Sequence, residues 1–401
     1  MLNRHRRYLA PLIWAILSLP LLVMLLAPDP TTIDHREARI LTPWPSLSDG
    51  KSSWQRLPDR IDAYLADHFG LRSLLLRGET LVAQRLLRNG NDNVLIGQGG
   101  WLFYRPGTVL QQGAGVLVRV STVKETADTL ARVDRSLKAR GIRFLVAVPP
   151  SSQTIQDADL PKWARNAGRT TEYDLLLREL RARGVEAIDL RPALRAAAEH
   201  ETVYNRYDTH WNKLGALEAF NVVADAAGHP DWRLDPTDTL VPAQRGGGDL
   251  ARMLGIDDLV GEPVPALRNP RPEFVVGDSG QQTPFVLTAD HAGPTLLVVG
   301  DSFTMSFFPP MALLHAGRFA WVHHRGCTLD WRWVEAAHPD EVWWMPTERI
   351  LLCQPGAAPA GLAPAGGPVP SAALSPPSGP PAPRRRRATA SGPRSRSRAR
   401  S

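Results

Sequence analysis

Hydrophobic positions near the N-terminus form one uncharged run, Tyr8 to Pro28, behind a cluster of Arg4, His5, Arg6 and Arg7. Such a run matches the ~20 residues that cross a bilayer. The basic flank in front of it sets the N-terminus in the cytoplasm and everything after Ala27 outside. No small-x-small cleavage site follows, so residues 1–28 read as a retained signal-anchor rather than a cleaved signal peptide. Prolines 28, 30, 43 and 45 mark residues 29–56 as an extended linker. From Leu57 to Leu87 the pattern turns helical, with Ile61, Leu65 and Phe69 on one stripe, continued by Leu75, Leu81 and Leu86. Val94–Ile96, Gly97–Gly100 and Trp101–Tyr104 then read as a glycine-closed hairpin.

Beyond Ser121, helical and strand patterns alternate. Thr122 with Glu125 carries a capping-box signature, Val123, Ala127, Leu130, Val133 and Leu137 recur at helical spacing, and Gly141 stops the helix. Ile142–Val148 is a short apolar run of the kind buried on both faces. Helices are expected over Thr171–Arg183, Asn212–Ala227, Phe303–Leu314 and Asp330–Ala337, and strands over Val185–Leu190, Thr295–Val299, Phe319–His323 and Glu341–Met345. Alternation of this kind implies an α/β fold, a parallel sheet flanked by helices on both faces. Residues 57–354 make up that domain. Residues 230–293 break the rhythm and read as an irregular insertion, with strand candidates at Phe274–Val276 and Phe285–Leu287.

Composition changes the picture in one respect. The formal net charge is +7, yet 8 of the 47 basic residues lie in Pro355–Ser401, which holds no Asp or Glu; the remainder carries 39 basic against 40 acidic residues. The body is therefore faintly acidic and shows no basic–aromatic pattern for nucleic acid. Residues 355–401, rich in Pro, Ala and Arg, cannot bury a core and are expected to be disordered. Of the two cysteines, Cys327 and Cys353, the favoured reading is a pair of unlinked small buried hydrophobes, with one disulfide as the alternative in an oxidising compartment. No Cys/His spacing suits a metal, and the adjacent His323 and His324 diverge on a strand, so no metal is expected.

Two segments carry candidate chemistry. In Val298-Val299-Gly300-Asp301-Ser302-Phe303 a buried strand ends, a glycine permits a sharp turn, and Ser302 falls in the first turn of the next helix. Its hydroxyl then faces the C-terminal edge of the sheet, where α/β ligand sites form, with the positive end of the helix dipole behind it. Alone, Asp301-Ser302 reads more readily as a helix N-cap. A serine nucleophile needs a base, and the base needs an orienting group. Tyr207-Asp208-Thr209-His210-Trp211-Asn212 supplies both: Asp208 and His210, two apart, leave one face of an extended segment. The bland reading makes Asp208 a helix cap and His210 a structural polar group. The two segments together point to the triad Ser302, His210 and Asp208.

These segments resemble the alginate O-acetyltransferase family of the AlgJ and AlgX type, within the SGNH hydrolase-like superfamily. The similarity extends to the 57–87 region, the Gly-Trp-Leu-Phe-Tyr hairpin, Gly247-Gly248-Asp249-Leu250 and Glu348-Arg349 after a Trp-rich strand. Asp208 and His210 precede the serine, the permuted order of this family. Two departures are Pro149-Pro150-Ser151-Ser152, without an expected lysine, and Met345, where an acidic residue is common. The resemblance implies a nucleophile at Ser302, a base at His210 and an orienting acid at Asp208, with no cofactor. It implies acetyl transfer to a hydroxyl of an exported polysaccharide, with a multi-spanning membrane acyltransferase as the partner that feeds acetyl through the inner membrane to a periplasmic domain. Asp301, Trp211, His323, Arg325 and Tyr104 are the supporting or substrate-binding candidates. An acetylesterase and a non-catalytic polysaccharide-binding scaffold are the alternatives.

Overall fold

The computed structural model describes residues 57–69, 90–271 and 282–353 except 326 and 328, with scattered positions between 11 and 45. Among the described residues no helix is long and apolar enough to cross a membrane. Most of the Tyr8–Pro28 run, the second half of the 57–87 helical region, Phe274–Val276 and the tail from 355 lie outside the described residues.

In chain order, the elements that position the site begin with α1 (Leu57–Asp67), β1 (Val94–Ile96), β2 (Leu102–Tyr104), α2 (Val120–Lys138), β3 (Arg143–Ala147), α3 (Glu172–Ala182), β4 (Glu186–Ile188), α4 (Arg191–Ala198) and α5 (Lys213–Ala226). They continue with β5 (Leu240–Gly246), α6 (Asp249–Leu254), β6 (Gly261–Leu267), β7 (Phe285–Thr288), β8 (Thr295–Gly300), α7 (Ser302–Met305), α8 (Pro309–Ala312), β9 (Arg318–His323), α9 (Trp331–Ala337) and β10 (Glu341–Met345). The six-stranded sheet runs β4-β3-β10-β8-β9-β7. Five strands are parallel, and β7 pairs antiparallel with β9. The expected parallel sheet is thus a mixed one with an antiparallel edge. That edge strand is the Phe285–Leu287 candidate within the stretch otherwise read as irregular.

Side chains alternate across the strands, so each apolar run feeds two cores. Leu145, Val298, Trp321 and Trp343 enter one, under Leu194 of α4 and Phe220 and Val223 of α5. Phe144, Val146, Val299 and Trp344 enter the other, under Leu130 of α2, Leu176 and Leu180 of α3 and Val334 of α9. Each buried apolar side chain contributes about 1.5–3 kcal/mol, so the strands that fill both cores are written as short apolar runs.

Helix ends were less legible. Thr122 and Glu125 do not form a capping box: α2 starts at Val120, leaving Thr122 inside the helix, and the Arg119 N–H at its N-cap donates to Glu172 instead (2.7 Å). The capping box forms at α3, where Thr171 and Asp174 bond reciprocally. The expected Phe303–Leu314 helix is two short pieces, α7 and α8, because Pro309 and Pro310 end the first and start the second. Cys327 and Cys353 are joined in a disulfide, which corrects the unlinked reading. Their Cα atoms lie 5.0 Å apart although β9 and β10 flank β8: the turn after β9 and the segment after β10 meet beyond the strand ends, a proximity spacing does not encode.

Candidate active site

Ser302 opens α7 directly after β8, as the strand–turn pattern requires. As the first helical residue, its N–H has no intrahelical acceptor and points out of the helix start. Asp301 is the N-cap: one carboxylate oxygen accepts the Phe303 N–H (2.9 Å) and the other accepts the Thr347 N–H and hydroxyl (2.8 and 2.6 Å). Asp301 therefore ties the serine turn to the end of β10 rather than facing the reacting groups.

The structure brings the other two members of the triad to Ser302. The Ser302 hydroxyl lies 2.8 Å from His210 Nε2, and His210 Nδ1 lies 2.6 Å from Asp208 Oδ1. The Asp208–His210 segment is a turn, not the extended stretch expected. Asp208 Oδ1 also accepts the His210 backbone N–H (3.0 Å), so one carboxylate oxygen fixes both the backbone and the ring. The turn is closed at its base by Asn205 N–H to His210 C=O and Asn212 N–H to Val203 C=O (3.2 and 3.0 Å). Asn212, not Asp208, caps α5, accepting from Gly215 N–H (3.0 Å). Trp211 is buried; its indole N–H donates to the Phe303 carbonyl (3.0 Å), and its ring stacks on Phe308. It locks the His210 turn onto α7.

Electrostatics follow from this geometry. Burial alone pushes the Asp208 carboxyl upward, but the His210 imidazole and the Arg245 guanidinium together hold it well below the usual carboxylate range. Burial pulls His210 down, and the Asp208 charge and hydrogen bond outweigh it, leaving the imidazole above the ordinary histidine value. The pair is thus set as an ionised acid beside a proton-accepting ring.

The residues that pattern reading missed come from the stretch 230–293. The β5–β6 hairpin supplies Arg245, whose Nη2 donates to Asp208 Oδ2 (2.6 Å), and Glu262, which accepts the Arg206 N–H (2.8 Å). Asp249, at the start of α6, accepts the Thr209 N–H and hydroxyl (2.7 and 2.6 Å). The signal for Asp249 was the preceding Gly247-Gly248. A side chain at Gly248 would collide with the Tyr207 carbonyl oxygen, so only glycine lets α6 start this close. Arg245 had no local signal. Asp208, His210 and Asp249 place potential ligand atoms within 4.8 Å of one another. Each of those atoms already has a hydrogen-bond partner, and Arg245 fills the cationic position, so the donor set fits a hydrogen-bonded relay.

A pocket of about 560 Å³ is lined by Gln112, Arg119, His323, His324, Arg325 and Arg349, among others, with no triad residue on its wall. Predicted residues His323 and Arg325 therefore stand on its wall. Arg349 joins it to the serine turn, its guanidinium 5.2 Å from the Phe303 ring and 5.1 Å from that of Tyr104. Tyr104 thus meets the site through Arg349. Arg119 is held by Glu172 through two charged hydrogen bonds of 2.8 Å each. Burial pulls His323 down and His324 down to about 4, so both rings are neutral at neutral pH and the arginines set the positive sign of the pocket.

The mixed sheet, the serine at the strand–helix turn and the Asp-x-His turn ahead of it in sequence define an SGNH hydrolase-like α/β domain. Residues 94–311 match the family model described as SGNH hydrolase-like domain, acetyltransferase AlgX, and the chain belongs to that family. It is 27% identical over 274 residues to the "Probable alginate O-acetylase AlgJ" of Pseudomonas aeruginosa, covering 62% of this chain and 65% of that one. It is 26% identical over 232 residues to the protein of the same name from Pseudomonas putida, covering 55% and 57%. The chain thus spans less than two thirds of these relatives' length. Among solved structures, Bacillus cereus PatB1 superposes with a TM-score of 0.51 at 16% identity, over 66% of this chain and 98% of that one, a likeness of fold.

Proposed function

We propose that the protein is an O-acetyltransferase that moves acetyl groups onto hydroxyls of an exported polysaccharide through an acetyl-serine at Ser302. The observation that carries this reading is the continuous relay from Asp208 through His210 to Ser302, with bonds of 2.6 and 2.8 Å. His210 takes the Ser302 proton as the serine oxygen attacks the donor carbonyl, then returns it to the leaving group. A sugar hydroxyl attacks the acetyl-serine with His210 again as base, restoring free Ser302 and releasing the acetyl ester. The Ser302 N–H at the start of α7 is free of an intrahelical acceptor and can serve as a donor for the oxyanion.

The names of the Pseudomonas relatives support a polysaccharide acceptor. The arginine-lined pocket, joined to the serine turn through Arg349 over the Phe303 ring, favours one bearing carboxylates, since guanidinium groups such as those of Arg325 and Arg349 pair bidentately with them. The N-terminal apolar run supports an inner-membrane anchor with the domain in the periplasm, and the Cys327–Cys353 disulfide suits such an oxidising space. Soluble acetyl-CoA is not expected there, so the acetyl donor is assigned to a multi-spanning membrane acyltransferase.

Full-length protein incubated with an activated acetyl ester and defined oligosaccharides, with and without uronate residues, tests the reading. Acetylated oligosaccharide in the mass spectrum, formed preferentially from the uronate series, is the expected result. Acetate alone makes the protein an esterase. Tight glycan binding with no turnover makes it a scaffold.

A further inference from the structure

One carboxylate beside His210 is unused by the mechanism above. Asp249 Oδ2 lies 3.8 Å from His210 Nδ1, on the edge of the ring that Asp208 occupies. The approach is built in. Gly248 admits the backbone against Tyr207, the Asp249 N–H donates to Asp208 Oδ2 (3.2 Å), and Thr209 grips the Asp249 carboxylate with both its N–H and its hydroxyl. The Thr209 hydroxyl in turn lies 3.3 Å from His210 Nδ1. We propose that Asp249 is a positioning residue for His210, a second carboxylate that stabilises the imidazolium formed when the ring takes the Ser302 proton.

The charge balance of the site gives the physical reason. His210 faces Asp208, Asp249 and Arg349; Asp208 also faces Arg245, and Lys213 lies over the Phe307 ring that stacks on His210. Arg245, at 2.6 Å, offsets the charge of Asp208, and Arg349 opposes protonation of the ring. With Asp208 alone, the imidazolium would form in a site with a surplus of cations. Burial and the Asp208 charge push the Asp249 carboxyl up, while the His210 charge and the Thr209 hydrogen bonds favour its ionised form; ionised, it supplies the missing negative charge, and its grip on Thr209 holds the turn that aims the ring. Were Asp208 lost, Asp249 is the carboxylate next in reach of Nδ1–H.

The inference rests on the acetyl-serine reading, and the test separates the two. Asp249→Asn keeps one acceptor oxygen for Thr209, puts an amide NH2 in place of the other and removes the charge; Asp249→Glu restores the charge and both acceptor oxygens. The full chain is titrated by NMR at the His210 ring, and the acid limb of kcat/KM is measured with an activated acetyl ester. The expected result for Asp249→Asn is a fall of both midpoints by about 0.5–1 unit, kcat lowered several-fold at constant KM, and recovery in Asp249→Glu. In an Asp208→Asn background, Asp249→Asn is expected to cost roughly tenfold more in kcat than it does alone. An unmoved NMR midpoint, or an equal cost in both backgrounds, overturns the proposal. If Ser302→Ala turns the ester over at the wild-type rate, the acetyl-serine reading fails, and the NMR titration still decides whether Asp249 sets the state of His210.

Discussion

At the scale of the residue, His210 is held between opposing demands. It must be neutral to accept the Ser302 proton, yet the Asp208 carboxylate raises its affinity for protons. Activity that depends on neutral His210 rises with pH through the folded-state value, so the acid limb of kcat/KM should lie above the ordinary histidine value of 6.5. A limb at or below 6.5 would show that burial, not Asp208, governs the ring. The same shift has a stability counterpart of fixed sign. The raised histidine contributes stability that is present below 6.5 and lost as pH rises through its folded value. Asp208, lowered well below the usual range, contributes stability that persists until strongly acid pH. The candidate triad was legible because each member sits in a short motif whose chemistry is local: a strand-turn-helix for Ser302 and a two-residue spacing for Asp208 and His210. Arg245 was not legible, because it comes from 37 residues beyond Asp208 and joins it only across the β5–β6 hairpin. Arg349 was quoted as part of a motif, but its place over the Phe303 ring needed the sheet.

At the scale of the element, the parallel strands announced themselves as apolar runs, and their helices by periodicity. The errors fell where a different physical term decides. Prolines divided the Phe303–Leu314 helix, and a tertiary bond from Glu172 took over the start of α2. The stretch 230–293 was misread because β5 and β6 cover the site with one half-buried face and carry prolines at 242, 263 and 265, which blur strand patterning. The order in this stretch nonetheless serves the site. Gly248 is the hinge of that service, packed against both Tyr207 and Asp208. Gly248→Ala should push α6 away from the Asp208 turn and lower kcat by about tenfold or more, with the sheet core and far-UV circular dichroism unchanged. Wild-type kcat in this variant would mean that the α6 contact is dispensable.

At the scale of the whole molecule, the disulfide joins the turn after β9, which follows His323 and Arg325, to the segment after β10, which carries Arg349. Two of the segments that line the basic pocket are therefore stapled to each other. Closing a loop of sequence separation 26 restricts the unfolded chain by about 3–4 kcal/mol. Cys327→Ser/Cys353→Ser should lose that much in urea unfolding, and a loss below about 1 kcal/mol would mean that the folded segments hold each other without the bond. The pairing lay beyond the sequence because two cysteines on separate strand ends meet only once the strand order is known.

The central claim is that Ser302 accepts the acetyl group. It is tested most directly by quenching the full-length protein during turnover of an activated acetyl ester and mapping its peptides by mass spectrometry. The account predicts one acetyl group on the peptide holding Ser302, absent when the ester is withheld, and loss of ester turnover in Ser302→Ala. Turnover at the wild-type rate in Ser302→Ala, with no acetyl on that peptide in the wild type, would contradict it.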